Sequence, residues 1–382
     1  MDKQHKLSDD WGEIEEIIVY GFGWEASRCI DKLIKDFSIP FIIDNDPEKK
    51  GKFYDGIPIY SWNEAKTLVE SRKIVVTTRY RQFCKIAESL EAEGNKYGKD
   101  FCSIKDFIPE WYWKNRKECN LYTVDMTVSA QCNFRCKNCN MFMPYYTARV
   151  KYTLDNLKDN VDSFFKVIDY VCYIGFIGGE PLLCSDLPAL IEYIVENYHD
   201  KVGNFTIHTN GSILPSEHLV DIIKKHNITI AISDYGDQSP CRDKMTETMD
   251  FLQSRGVYVD VRKSLEWKDV GFPTNPRHFS DREMEEHMRM CSADWRGIND
   301  GKFYYCNIAW SAEKAGLTVL EPDDYLVMED LAKEGEHGKE VLLEYSEGHF
   351  KKGFISFCKQ CGGCGSDNKI TVVPGVQLKK GN

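Results

Sequence analysis

Short apolar runs alternating with amphipathic stretches set the pattern of the first third of the chain. Residues 17–20 (Ile-Ile-Val-Tyr) are apolar without a break, which predicts a buried strand. The turn Gly21-Phe22-Gly23-Trp24-Glu25-Ala26 follows, and the spacing predicts a helix from there to about Ile34. A second strand at 41–43 ends at Asp44, and a third covers 73–77. This alternation predicts a parallel sheet with Rossmann-like winding over residues 1–118. The aromatic stretch 107–113 predicts a helix begun by Pro109, its tryptophans packing between domains.

From residue 121 to about 264 the alternation resumes, with strands at 121–128, 171–177, 204–209, 228–232 and 257–261. Helical stretches such as 186–198 and 216–225 lie between them. Parallel strands wound into a full or partial barrel place ligand sites at their C-terminal ends. Beyond Cys291 the pattern breaks into a strand-like segment at 302–310 and a cysteine-rich tail. Three α/β segments are expected: 1–118, 119–285 and 286–382.

Composition narrows the function classes. A chain of 382 residues with 42% hydrophobic and 13% aromatic content can build packed cores, so global disorder is excluded. The formal charge of −11 argues against a nucleic-acid partner. No apolar run reaches the roughly 18 residues a membrane helix needs, and the polar N-terminus lacks an export signal. A cytoplasmic protein is therefore expected, and its fifteen cysteines point to metal ligation rather than disulfides.

The strongest chemical signal is Cys132-x3-Cys136-x2-Cys139, in the stretch CNFRCKNC. Three thiolates converge on one centre only if a loop wraps around it, and thiolates select zinc or iron–sulfur clusters. Residues 140–152 hold neither Cys nor His to close a zinc tetrahedron, so one position stays open. Downstream, Gly178-Gly179-Glu180-Pro181 ends the second barrel strand, its glycines allowing close backbone approach. Together these motifs resemble the radical S-adenosylmethionine (radical SAM) enzymes. The resemblance implies a partial (β/α)6 barrel and a [4Fe–4S] cluster on Cys132, Cys136 and Cys139. S-adenosylmethionine (SAM) would then be held by Gly178, Gly179 and Glu180, with Asn210 and Ser233 at later strand ends. A simple turn is the alternative for Asn210-Gly211. An aromatic often precedes the third cysteine in the family; here it is Asn138.

A second group comprises Cys291, Cys306, Cys358, Cys361 and Cys364. Its arrangement C-x9-G-x4-C, gap, C-x2-C resembles the SPASM/twitch extension of radical SAM enzymes. Five cysteines rather than seven suit the shorter twitch form with one auxiliary [4Fe–4S] cluster. Cys291, Cys306, Cys358 and Cys361 are its expected ligands and Cys364 is spare or interchangeable, with structural zinc as the alternative.

The N-terminal Gly21-x-Gly23-x-x-Ala26 pattern with Asp44 matches a dinucleotide fingerprint weakly. The segment 44–61, DNDPEKKGKFYDGIPIYS, also resembles small Rossmann-like domains attached to sugar-modifying and capsule-assembly proteins, where the glycine turn need not hold NAD. The resemblances imply SAM cleavage to a 5′-deoxyadenosyl radical and hydrogen abstraction from a carbohydrate-related small molecule, with flavodoxin or ferredoxin as electron donor. Two-electron oxidation is the expected outcome. Peptide maturation, epimerisation with Cys241 or Cys184 as hydrogen donor, and a non-catalytic iron–sulfur scaffold are the alternatives.

Overall fold

Strand β1 (Ile17–Tyr20) sits inside a six-stranded sheet because all four of its residues are apolar and buried on both faces. The computed structural model describes residues 7–146, 152–291 and 294–379; the polar stretch 1–6 lies outside the described residues. Around β1 run β2 (Ile42–Ile43), β3 (Phe53–Tyr54), β4 (Ile57–Tyr60), β5 (Lys73–Val76) and β6 (Phe101–Ser103), in the order β3-β4-β2-β1-β5-β6. The pairs β1–β2, β1–β5, β2–β4 and β5–β6 are parallel, while β3–β4 is an antiparallel hairpin. Chain order reverses between β1 and β5, which makes a topological switch point there.

Alternate residues feed two cores. Ile17, Val19, Ile42 and Val75 face helices α1 (Ile30–Asp36) and, after α2 (Trp62–Ala65) and α3 (Tyr80–Ala92), α4 (Ile104–Arg116). Ile18, Tyr20, Ile43 and Val76 face α3. Pro109 does not begin α4. Ser103 caps it by accepting the Asp106 N–H at 3.2 Å, so the helix starts before the proline, which lies inside it. Trp111 stacks with Phe107 and meets Phe37 edge-on, in a core that also holds Tyr122 and Cys172.

The chain divides into two compact units, residues up to 122 with 168–173, and 123–167 with everything from 174 on. The second is built on the sheet of β7 (Asn120–Ser129), β8 (Tyr170–Gly178), β9 (Val202–Thr209), β10 (Thr229–Asp234) and β11 (Val259–Lys263). Helices α5 (Leu154–Phe165), α6 (Leu187–Tyr198), α7 (Glu217–Lys225) and α8 (Arg242–Ser254) alternate with these strands. After the short β12 (Trp267–Lys268) and α9 (Asp281–Met290), strand β13 (Gly297–Asn299) pairs parallel with the far side of β7. The sheet order is then β11-β10-β9-β8-β7-β13, continued by β14 (Lys302–Tyr304) and, past α10 (Asn307–Lys314), by β15 (Leu326–Val327). The expected α/β architecture is present, and the sixth parallel strand of the sheet comes from the cysteine-rich segment. The strand expected at 302–310 stops at Tyr304, because Ile308 to Trp310 bury their side chains from a helix instead. Helices α11 (Met328–Glu334) and α12 (Glu336–Glu347) and the short β16 (Thr371–Val372) complete the unit.

Candidate active site

Strand β7 delivers a loop carrying Cys132, Cys136 and Cys139, and β8 ends against that loop. Gly179 N–H donates to Ser129 O at 2.8 Å and Glu180 N–H to Gln131 O at 2.7 Å. A Cβ on Gly178 would stand 2.1 Å from Ser129 O, and one on Gly179 2.2 Å from Gln131 O. Gly178 also has φ of +140°, open only to glycine. The two glycines are therefore required by the clasp between the motifs. Inside the loop, Phe134 N–H donates to Cys132 Sγ at 3.4 Å, and the buried Phe134 and Phe142 anchor the turn.

Burial lifts all three thiols, Cys132 to about 12, Cys136 to about 11 and Cys139 above its ordinary value. Cys132 is raised further by Cys139, Glu180 and Cys136, and Cys136 by Cys139, which places the three in one neighbourhood. A cluster binds the thiolate form, so loading this site would displace the three protons.

Glu180 is fully buried. Its Oε1 accepts from Thr209 Oγ1 at 2.7 Å and Leu182 N–H at 3.1 Å, and its Oε2 from Asn210 N–H at 2.8 Å. A carboxylate has about four acceptor directions, so one remains on Oε2. Asn210 turns back to the cysteine loop, its Nδ2 donating to Asn133 Oδ1 at 3.0 Å, while Gly211 takes the left-handed φ of +72° that the turn requires. Ser233, half-buried at the end of β10, hydrogen-bonds Tyr235, whose hydroxyl is pushed up by burial and then by Cys136, Cys139 and Cys132. Tyr235 thus faces the loop, although nothing in the sequence pattern singled it out. Cys184, half-buried just past Glu180, has its thiol raised by burial, and Cys241 is half-buried at the N-cap of α8.

A polar row crosses the same sheet. Register aligns His208, Ala231 and Asp260, and two residues along the same face aligns Ser233 with Arg262. Arg262 Nε donates to Asp260 Oδ2 at 2.8 Å, and its Nη1 lies 3.4 Å from His208 Nδ1. A Cβ on Gly175 would meet Asp125 Oδ1 at 2.2 Å and His208 Nε2 at 3.3 Å, so the row continues to β7. Alternation of sequence reads as burial here and gave no sign of these inward charges.

The second cysteine group also converges. Cys358 is raised by burial and by Cys361, Cys291 and Cys306; Cys364 by burial and by Cys306, Cys291 and Cys361. Burial pushes Cys306 to about 12, with Cys291 adding to it. The Cys361–Cys364 turn is pressed flat. A Cβ on Gly362 would stand 2.6 Å from Asp269 O, on Gly363 2.5 Å from the His287 ring, and on Gly365 2.3 Å from Met290 O. His287, one helical turn before Cys291, is held by Asp367 Oδ2 at 2.7 Å from Nδ1. That i, i+4 spacing was available in the sequence. Beside the group, Asp324 accepts Phe357 N–H at 2.6 Å and Glu321 N–H at 2.8 Å, and burial lifts its carboxyl to about 6. Among the described residues no three His, Cys, Asp or Glu side chains gather as ligands of a single ion. A cluster takes one thiolate per iron and does not need them so close.

The segment after β16 lies against the first cysteine loop. Lys137 N–H donates to Val376 O at 2.7 Å and Leu378 N–H to Arg135 O at 2.8 Å, an antiparallel bridge centred on Cys136 and Gln377. Asn138, where the family often has an aromatic, donates to Val373 O at 3.4 Å.

Residues 126–291 match the radical SAM superfamily. They form a radical SAM domain. Its cofactors are a [4Fe–4S] cluster and SAM, and the donor set and glycine clasp above fit them. Over 99 residues the chain is 30% identical to an S-adenosylmethionine-dependent nucleotide dehydratase of Selenomonas ruminantium, covering 24% of this chain and 31% of that protein. It is 28% identical over 187 residues to a GTP 3',8-cyclase of Rhizobium leguminosarum, covering 46% and 49%. The chain thus spans about a third to a half of the length of these curated relatives. Among solved structures, BtrN in complex with AdoMet and 2-DOIA aligns over 63% of this chain and 93% of its own, at 17% identity and a TM-score of 0.38. No helix among the described residues is long and apolar enough to cross a membrane.

In the N-terminal unit, a cavity of about 680 Å³ opens at the switch point, lined by residues including Gly21, Trp24, Asp44, Lys49, Trp62 and Arg79. Asp44 is largely committed there: it accepts from Phe22 N–H at 2.7 Å, Asp46 N–H at 2.9 Å and Lys49 Nζ at 3.1 Å. The fingerprint's acid therefore ties the glycine turn to the end of β2.

Proposed function

We propose that this chain is a radical SAM enzyme carrying out a two-electron oxidation of a hydroxyl-rich, carbohydrate-related small molecule. The reading rests above all on the clasp of Gly178 and Gly179 onto the Cys132–Cys139 loop. Cys132, Cys136 and Cys139 would hold the cluster, with Gly179, Glu180 and Ser233 beside SAM. Bound together, cluster and SAM supply a 5′-deoxyadenosyl radical that removes hydrogen from an unactivated C–H.

The chain's own work is positioning. The remaining acceptor direction of Glu180 suits an ammonium group. Asp125, His208, Asp260 and Arg262 set two carboxylates, an imidazole and a guanidinium side by side, which suits vicinal hydroxyls better than an apolar or purely anionic substrate. Cys291, Cys306, Cys358 and Cys361 would hold an auxiliary cluster as one-electron acceptor, with Cys364 exchangeable. The cavity of the N-terminal unit would receive a nucleotide-bearing ligand through Arg79 and Lys49 and take no part in turnover.

Anaerobic incubation of reconstituted protein with SAM, dithionite and sugar metabolites, read by mass spectrometry, tests the reading. Loss of two mass units marks oxidation. Deuterium uptake at constant hydrogen count would instead mark epimerisation and bring Cys184 and Cys241 forward.

A further inference from the structure

Gln377 stands 241 positions beyond Cys136 and donates its side-chain Nε2–H to the Cys136 sulfur at 3.2 Å. The same nitrogen donates to Gly375 O at 2.6 Å, and Oε1 accepts from Arg135 N–H at 2.6 Å. Both donors and one acceptor of the amide are in use. Rotating the group by half a turn would set oxygen against sulfur and carbonyl, and N–H against N–H, so its orientation is fixed. Backbone pairing on both sides, at Val376 and Leu378, holds the strap in register. Cys136 is only 8% exposed, so the bond lies where water screens little.

We propose that Gln377 is a positioning residue of the radical SAM centre, whose N–H···S bond to Cys136 raises the reduction potential of the cluster bound there. An N–H aimed at a ligand sulfur stabilises the extra negative charge of the reduced form, and such bonds are among the levers that set iron–sulfur potentials. The inference rests on the reading that Cys132, Cys136 and Cys139 hold the cluster. Two substitutions isolate it. Gln377→Glu keeps an acceptor for Arg135 N–H but turns oxygen toward the sulfur. Gln377→Leu keeps the volume and removes every polar atom.

The experiment is a redox titration of full-length reconstituted protein followed by electron paramagnetic resonance. It follows the signal that changes when SAM is added, since that signal belongs to the cluster with an open iron. The midpoint is expected to move to more negative potential in both variants, further in Gln377→Glu, with iron content unchanged. An unshifted midpoint in both would overturn the proposal. Loss of about four irons per chain from both would also overturn it, because Gln377 would then retain the cluster rather than tune it. Absence of any SAM-responsive signal in the parent protein would instead refute the underlying ligand assignment.

Discussion

Gly179 lies so close to Gln131 that a single added carbon would stand 2.2 Å from the Gln131 carbonyl oxygen and 2.9 Å from the Cys132 nitrogen. Backbone is on both sides of this contact, so no side chain can swing away to relieve it. Gly179→Ala should therefore part β8 from the cysteine loop. Overpacking of this kind costs about 1–3 kcal/mol, which corresponds to roughly a tenfold to hundredfold loss if it falls on the reactive geometry. We expect that loss in 5′-deoxyadenosine formation, measured by chromatography. Parent-level formation would show that the clasp is dispensable.

Replacing Cys132, Cys136 or Cys139 by Ala should abolish reductive SAM cleavage. A triple variant should retain about four of about eight irons per chain after anaerobic reconstitution. Stoichiometric zinc surviving in that variant would mark the second cysteine group as a structural zinc site.

Within the second group, Cys364→Ala should keep its four irons while Cys306→Ala should lose them, because Cys306 is buried at the N-cap of α10. Metal analysis in a Cys132/Cys136/Cys139 triple-alanine background decides it. Equal loss from both would make Cys364 a ligand in its own right.

Asp324 predicts a pH dependence. Its folded carboxyl sits at about 6 against an ordinary 3.8, raised chiefly by burial. A raised acid stabilises the fold fully below the unfolded value and loses that contribution as pH climbs through the folded one. Two units correspond to about 3 kcal/mol, of which about 1 kcal/mol falls between pH 5 and 7. Chemical denaturation should show stability declining across that window relative to Asp324→Asn. Parallel curves for the two proteins would refute the shift.

Calorimetry of the full chain should show UDP-glucose binding that weakens about tenfold or more in Arg79→Ala, as loss of a charge-assisted phosphate contact requires. NAD binding tighter than UDP-glucose would favour a dinucleotide site, and no heat with either would leave the domain a scaffold.

The two cysteine spacings, the glycine pair and the alternation of strands with helices were legible in the sequence because each is local, but the glycines, read there as making room for a ligand, meet the backbone of the cysteine loop instead. What escaped was long-range. Tyr235 reaches the cysteine loop only through the sheet, and Gln377 only through the returning strap. The sixth strand, 297–299, reads as part of the tail because its partner β7 lies far upstream. Pro109 misled for a different reason: a proline is a start signal only where no better cap precedes it, and Ser103 does.

The strap also fixes an order of events during synthesis. Cys136 leaves the ribosome 241 residues ahead of Gln377. Until Gln377 has emerged, the loop lacks its pairing partner and the sulfur its donor. The finished form of this centre therefore waits for the strap, and before it arrives Cys136 has neither its backbone partner nor its amide donor.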